Sequence, residues 1–107
     1  MANVSARPPA ALVEGQNVFT TAVVERPPAE RPTVDSTAAI AEWLIGDARR
    51  IGAAVQAVDE YAWRLLAAGL PVIRVTLHSG TLHPQFLAAA YVWWRTTAQT
   101  EQIMVLH

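Results

Sequence analysis

The sequence contains no cysteine, and all eight of its basic residues are arginine. The lack of cysteine excludes disulfide bonds, thiolate catalysis and cysteine-based zinc sites, and it is typical of a protein of the reducing cytoplasm. Charged residues are also scarce, at 16% of the chain, and the formal net charge is −1. That balance excludes the strongly basic surface that nucleic acid or anionic lipid would require.

Long apolar runs are missing as well. A transmembrane helix needs about 18 or more consecutive apolar residues, and no such run occurs. The N-terminal segment carries Arg7, Pro8 and Pro9 rather than the apolar core of a signal peptide. We therefore expect a cytoplasmic protein with no membrane and no nucleic acid among its partners.

Hydrophobic residues nevertheless make up 52% of the 107 residues. A chain of this length forms one small domain, and its apolar content is sufficient for a core. Because apolar residues are so frequent and charged ones so rare, we expect part of the apolar surface to be covered by a partner.

Residues 1–34 are predicted to be a disordered, proline-rich linker tail, because five of the seven prolines occur there. Residues 26–32 in particular are typical of an extended polyproline-like linker. Residues 11–25, between the proline clusters, are richer in apolar side chains. The alternative for them is a docking segment that adds a strand or a short helix to a partner or to the chain's own sheet. The folded domain is predicted over residues 35–107.

Two helices are predicted at the start of this domain. Either Asp35 or Ser36 can cap the first, over residues 37–45, and Gly46 can end it. The second is predicted over about residues 48–68, unless Gly52 delays its start. Its apolar residues recur at steps of three and four, as they do on one buried face, and Asp59 falls off that face. The face comprises Ile51, Val55, Val58, Ala62, Leu65 and Leu66.

The second helix is predicted to end at Gly69, which can adopt the left-handed conformation that closes a helix. Leu70 can then contact Leu65, and Pro71 cannot continue the helix. Residues 72–78 alternate between apolar and polar side chains and predict a half-buried strand. Ile73, Val75 and Leu77 are expected on one face of it, and Arg74, Thr76 and His78 on the other.

After a turn predicted at Ser79 and Gly80, two further strands are predicted over residues 89–97 and 102–106. The fold class is therefore α+β, with two helices followed by a three-stranded antiparallel sheet. The last strand is apolar and would lie at an edge with unpaired backbone groups, which favours pairing with another chain. We accordingly expect the chain to dimerise or to bind a partner.

No catalytic, cofactor-binding or metal-binding site is predicted. His78 and His83 lie five residues apart, but no acidic residue occurs between Glu60 and Glu101 to complete a metal site. Ser79 and His78 are neighbours and would point apart on a strand, so they do not form a hydrolytic pair. The residues predicted to form a partner or ligand surface are Trp43, Trp63, His83, Tyr91, Trp93 and Trp94.

Four segments carry a resemblance to a known family: Trp43-Leu44-Ile45, residues 66–77 with the Ala67-Ala68-Gly69-Leu70-Pro71 corner, the loop Thr81-Leu82-His83-Pro84, and the aromatic strand Tyr91-Val92-Trp93-Trp94-Arg95. In this order the segments, within residues 37–107, resemble the N-terminal regulatory region that precedes the catalytic domain of many proteobacterial class III adenylate/guanylate cyclases. The order of elements also resembles the start of a GAF- or PAS-like sensor.

The resemblance implies a regulatory role in cyclic-nucleotide signalling without the family's catalysis. The cyclase catalytic domain is longer than this chain and uses two metal-binding aspartates, whereas the three aspartates here lie on or before the predicted helices. The expected function is a non-catalytic module that acts by dimerisation or by binding a cyclase or another signalling protein. The alternatives are a small-molecule sensor whose pocket is lined by Trp43, Trp63, Tyr91 and Trp93, and a truncated remnant of a cyclase.

Overall fold

The structure, a computed structural model, describes residues 3–6, 18–80 and 86–106. Its strands and helices are β1 (Asn3–Ala6), β2 (Val18–Glu25), α1 (Thr37–Ile45), α2 (Ala54–Ala67), β3 (Arg74–Gly80), β4 (Phe86–Trp94) and β5 (Gln99–Leu106). The strands form one antiparallel sheet in the order β1-β2-β5-β4-β3, and α2 packs across β2, β3, β4 and β5. The α+β class and the two helices are confirmed, whereas the prediction of a three-stranded sheet is wrong.

The extra strands come from the part of the chain that the sequence assigns to the tail. β2 pairs with β5 from Val18 opposite Val105 to Glu25 opposite Gln99. Val23 and Val24 are both buried, as is typical of a strand inside a sheet. β5 therefore has a neighbour on each side, and the predicted free edge at residues 103–106 is wrong. Within the described residues, the outer strands are β1 and β3.

The first helix begins and ends where the sequence predicts. The Ala39 N–H donates to the Ser36 Oγ at 3.1 Å, which caps α1, and the Gly46 N–H donates to the Glu42 carbonyl at 3.0 Å. The second helix begins later than residue 48, because residues 47–50 form a 3₁₀ turn and the flexible Gly52 follows it.

The corner after α2 forms as predicted. Gly69 has a φ of +88°, the Leu70 N–H donates to the Leu65 carbonyl at 3.1 Å, and the Gly69 N–H donates to the Leu66 carbonyl at 3.0 Å. These two bonds satisfy carbonyls that the helix end would otherwise leave unpaired. The chain therefore turns directly from the helix into β3.

A strand is confirmed here, but its bounds and its burial differ from the prediction, because Val75 and Thr76 are both half-buried and Leu77 is exposed. β3 starts at Arg74 and continues through Ser79 and Gly80, so no turn occurs at these two residues. β4 ends at Trp94, and a tight turn closed by the Ala98 N–H and the Trp94 carbonyl at 2.9 Å leads to β5. The register of the sheet places Trp93 and Trp94 on opposite faces.

The core lies between α2 and the middle of the sheet. Trp93 is fully buried and contacts Trp63 edge to face, with 5.4 Å between the ring centroids. Ala62 completes this cluster, and Leu66 and Val75 pack against its border. In the described part of the chain, no helix has the length and apolarity needed to cross a membrane.

Candidate functional site

An apolar groove of about 270 Å³ lies between the two helices and the outer strand β3. Trp43 and Tyr61 stack nearly parallel along it, with 6.3 Å between their ring centroids. Its lining contains no charged residue and consists of Trp43, Leu44, Ala48, Ala54, Ala57, Val58, Tyr61, Val75, Thr76 and Leu77. Since Leu44 and Leu77 are each almost half exposed, the groove leaves apolar surface in contact with water.

A second, polar cleft of about 330 Å³ is lined by Trp43 as well. Arg26 and Arg64 line this cleft together with the acidic residues Asp47 and Glu60. The two charge signs are balanced, so the cleft does not present the net charge that would select an ionic ligand. The apolar groove, which favours apolar groups, is therefore the better candidate for a binding site.

The groove runs beside a strand whose outer backbone groups are unpaired within the described residues. The Arg95 N–H donates to the Ile73 carbonyl at 2.9 Å, and Val75 lies opposite Trp93 in the same register. Because backbone groups of an antiparallel strand point alternately to its two sides, the backbone groups of four β3 residues point away from β4. These residues are Arg74, Thr76, His78 and Gly80.

Within the described residues, this outer strand has little of the usual protection of sheet edges, apart from the charge of the exposed Arg74. Natural edge strands are shortened, bulged, or interrupted by proline or by inward charges. β3 has seven residues in unbroken register with β4 and no proline. Its helix-facing side chains include Leu77, which is 48% exposed, and Ile73, just before the strand, which is 56% exposed. The combination of a free edge and an adjoining apolar groove favours binding of another strand.

A buried carboxylate connects β2, α2 and β5 behind the groove. Asp59 is fully buried and accepts hydrogen bonds from the Arg26 Nε at 2.9 Å, the Trp63 Nε1 at 3.2 Å and the Thr100 Oγ1 at 3.0 Å. The Arg26 side chain is itself mostly buried. Arg31 lies over the Trp63 ring at 4.2 Å and donates to the Arg26 carbonyl at 3.1 Å. This network fixes the segment after β2 against the helix.

The electrostatics of Asp59 reflect two opposing effects. Burial raises the pKa of the Asp59 carboxyl above its ordinary value, because the charged form loses its hydration. The hydrogen bond and the charge of Arg26 lower the pKa, as do the hydrogen bonds from Thr100 and Trp63, but burial has the larger effect. All four groups are used within the core, so we assign this network to stability rather than to binding.

A second ion pair holds the linker before α1. The Arg64 Nη1 lies 3.0 Å from the Asp35 Oδ2, and the Asp35 side chain is almost fully buried. The same guanidinium lies over the Trp43 ring, 4.9 Å from its centroid. Arg64 therefore orients the indole that forms one wall of the groove.

Of the residues of the predicted surface, the structure brings Trp63 and Trp93 into contact and places Trp43, Tyr91 and Trp94 elsewhere. Trp43 lines the groove, whereas Trp63 and Trp93 lie in the core. Tyr91 is half-buried on β4 opposite Leu77, and Trp94 lies on the opposite face beneath the Arg74 guanidinium at 5.2 Å. His83 lies outside the described residues. Among the described residues, no three histidine, aspartate or glutamate side chains converge as metal ligands would.

Sequence reasoning missed Tyr61 and the role of Asp59. Tyr61 does not lie on the predicted apolar face and is not part of an aromatic motif. Only its stacking against Trp43 shows that it belongs to the groove. A signal for Asp59 was present, because Val55, Asp59 and Trp63 follow one another at steps of four along α2. Placing this aspartate off the buried face was wrong, since Asp59 is fully buried and an aspartate in that position needs buried partners.

Comparisons with known proteins give no relative. No family model, curated protein or solved structure matches this chain.

Proposed function

We propose that this chain is a non-catalytic association module that regulates cyclic-nucleotide signalling in the cytoplasm. The observation that carries the proposal is the free outer strand β3 beside the apolar groove. Both features can contribute binding energy, through backbone hydrogen bonds and burial of apolar side chains, and neither requires a catalytic group. The resemblance to class III cyclase regulatory regions, and with it the GAF- or PAS-like comparison, supports the choice of pathway.

The association surface that we propose differs from the terminal strand that the sequence predicts. Strand β5 is covered on both sides, so its apolar residues cannot mediate association through their backbone groups. The outer strand β3 offers instead seven residues and the exposed side chain of Leu77. We therefore place the contact with a cyclase, a signalling protein or a second copy at β3 and the groove.

The first prediction concerns a class III cyclase encoded in the same genome. Adding an equimolar amount of the purified chain is expected to change the cyclase rate by about fivefold or more, the usual lower range of coupling between sites. Leu77→Asp should abolish both this change and co-purification, because it places a charge on the apolar contact. The measurement is cyclic-nucleotide formation, combined with a pull-down of the purified proteins.

Val34→Asp is the matched control, since Val34 is an exposed apolar residue, at 84%, that lines neither the groove nor β3. It should retain the effect of the unmodified chain. If the chain neither binds the cyclase, nor alters its rate, nor associates with itself, the proposed function is wrong.

The second candidate function is binding of a small apolar ligand in the groove. The aromatic lining of Trp43 and Tyr61 favours it, and a volume of 270 Å³ lies near the lower end of the range of ligand pockets, which is about 300–1,000 Å³. Here the ligand itself would supply the regulatory signal. The probe that suits this site is indole, a planar molecule that can stack on either ring.

The expected result is a rise in melting temperature with indole concentration, since a ligand at about 100 times its dissociation constant stabilises the native state by about 2.7 kcal/mol. Ala57→Leu should remove this shift by filling the groove, in which Ala57 is a lining residue. Ala41→Leu, at an exposed position of α1, should retain it. Equal shifts in both variants would contradict binding in the groove.

A further inference from the structure

We propose that two copies of this chain pair through β3, antiparallel, with Leu77 on the two-fold axis and each Leu77 against the partner copy's groove. The inference rests on the proposed function, because it identifies a second copy as the occupant of the association surface. Two sheets joined in this way form one continuous sheet of ten strands, which follows from the five strands of each copy.

Backbone geometry determines which residues can form the pairing. Thr76 and His78 direct their N–H and C=O groups away from β4. An antiparallel partner strand must bond to these outward groups, so outward residues lie opposite outward residues. This condition leaves a few registers, centred on Val75, Thr76 or Leu77.

The register centred on Leu77 uses the strand best. Since β3 spans Arg74–Gly80, Leu77 is its midpoint, and all seven residues then find a partner. Thr76 exchanges hydrogen bonds with His78 of the other copy, and Arg74 lies opposite Gly80. A register centred on Thr76 places Arg74 opposite His78 instead and leaves Ser79 and Gly80 without a partner within β3.

Side-chain burial favours the same register. Leu77 faces the helices, is 48% exposed and lines the groove. On the axis, each Leu77 contacts the other at the close spacing of a non-hydrogen-bonded pair, which is about 4.5 Å between Cα atoms. The same contact covers the half-exposed Leu44 at the rim of the groove. The surface is thus complementary to itself, as a two-fold interface requires.

Charge does not oppose this pairing in the described part of the chain. The described lining of the groove carries no charged side chain, and the formal net charge of −1 produces little repulsion between copies. The other outer strand, β1, has only four residues, so it offers fewer backbone bonds than β3. A second copy is the occupant we select because β3 itself supplies the exposed apolar side chain that the groove accepts.

Single-cysteine variants test the register directly, because the chain contains no cysteine of its own. Leu77→Cys should form a disulfide-linked dimer on mild oxidation, since its two Cα atoms lie within the disulfide range of about 4.4–6.8 Å. Val75→Cys, on the same face, should not, because its two copies lie about 13 Å apart along the paired strands. Val34→Cys, an exposed position away from β3, measures collisional cross-linking.

We expect Leu77→Cys to cross-link at least about tenfold faster than Val34→Cys, because pairing raises the local concentration of the two thiols. Faster cross-linking of Val75→Cys than of Leu77→Cys would overturn the register. A dimer in sedimentation velocity without preferential cross-linking of Leu77→Cys would overturn the β3 interface while leaving the proposed association function intact. A monomer that still binds the cyclase would overturn self-pairing alone.

A backbone variant separates the strand edge from the side chains. Thr76→Pro removes an N–H that points away from β4, so no hydrogen bond within the sheet is lost. It should abolish the sedimenting dimer, whereas Thr76→Val, which keeps the N–H, should retain it. Circular dichroism of each variant establishes that the fold is intact. A dimer that persists in folded Thr76→Pro would contradict pairing through β3.

Discussion

Asp59→Ala is expected to lower the free energy of unfolding by about 3–5 kcal/mol, the cost of removing one partner of a buried ion pair. The substitution leaves the Arg26 guanidinium, the Trp63 indole N–H and the Thr100 hydroxyl without their common acceptor. Small domains are stable by only about 5–15 kcal/mol, so this loss is a large fraction of the free energy of unfolding. Urea denaturation followed by tryptophan fluorescence measures it.

Two variants serve as controls for this prediction. Asp59→Asn keeps an acceptor oxygen of similar shape and should cost less than Asp59→Ala. Asp47→Ala removes a partner of Arg50 at 3.7 Å, but both side chains are about four-fifths exposed, so its effect should stay within about 1 kcal/mol. Equal stability of Asp59→Ala and the unmodified chain would contradict the role of Asp59 as a buried acceptor.

The pH dependence of stability provides a second measurement for the same residue. Because burial raises the pKa of Asp59 in the folded state above its ordinary value of 3.8, the folded state binds this proton more tightly than the unfolded state. The contribution of Asp59 is therefore fully present below the ordinary pKa and is lost as the pH rises through the raised value. The stability of the unmodified chain relative to Asp59→Asn should fall from about pH 4 upward. A constant difference would contradict the raised pKa.

Val24→Asp is expected to abolish cooperative unfolding. Val24 is fully buried on β2 and lies opposite Thr100 of β5, so an aspartate there would place an unpaired charge in the core. Burial of a charge without a partner is among the mechanisms that cost more than about 4 kcal/mol. The measurement is the thermal unfolding curve followed by circular dichroism.

Val18→Asp is the control on the same strand, because Val18 is 47% exposed. It should change the melting temperature by only a few degrees. If Val24→Asp unfolded with the same midpoint and cooperativity as Val18→Asp, β2 would not be part of the core. This pair of variants therefore tests directly that the segment between the proline clusters belongs to the folded domain.

The helical half of the fold could be predicted because its signals are local. Ser36, Gly46 and Gly69 act on backbone groups within a few residues, so their positions alone define where a helix can begin or end. The alternating sequence of β3, which predicts a strand, is a local signal as well, but it did not determine which of its side chains are buried. The start of α2 was missed because residues 47–50 have helical propensity but form a 3₁₀ turn before Gly52.

The candidate site was predicted only in part. Trp43 lines the groove, whereas Trp63 and Trp93 contact each other in the core, although nothing in their sequence neighbourhoods distinguishes them from Trp43. The groove depends on Tyr61 from α2 and on Leu77 from β3. These two residues are close because α2 packs against β3, and the sequence pattern within one element does not predict how two elements pack.

The amino-acid sequence by itself determined the α+β class, the two helices, the corner at Gly69 and the presence of a strand at β3, because each follows from interactions between residues close in the chain. Only the tertiary structure decided which strand is central and which is free. The pairing of β2 with β5 joins residues about 80 positions apart, such as Thr21 and Gln102. Such pairing is selected by burial of both partners at once, and among the described strands that selection leaves β3, rather than β5, at an edge of the sheet.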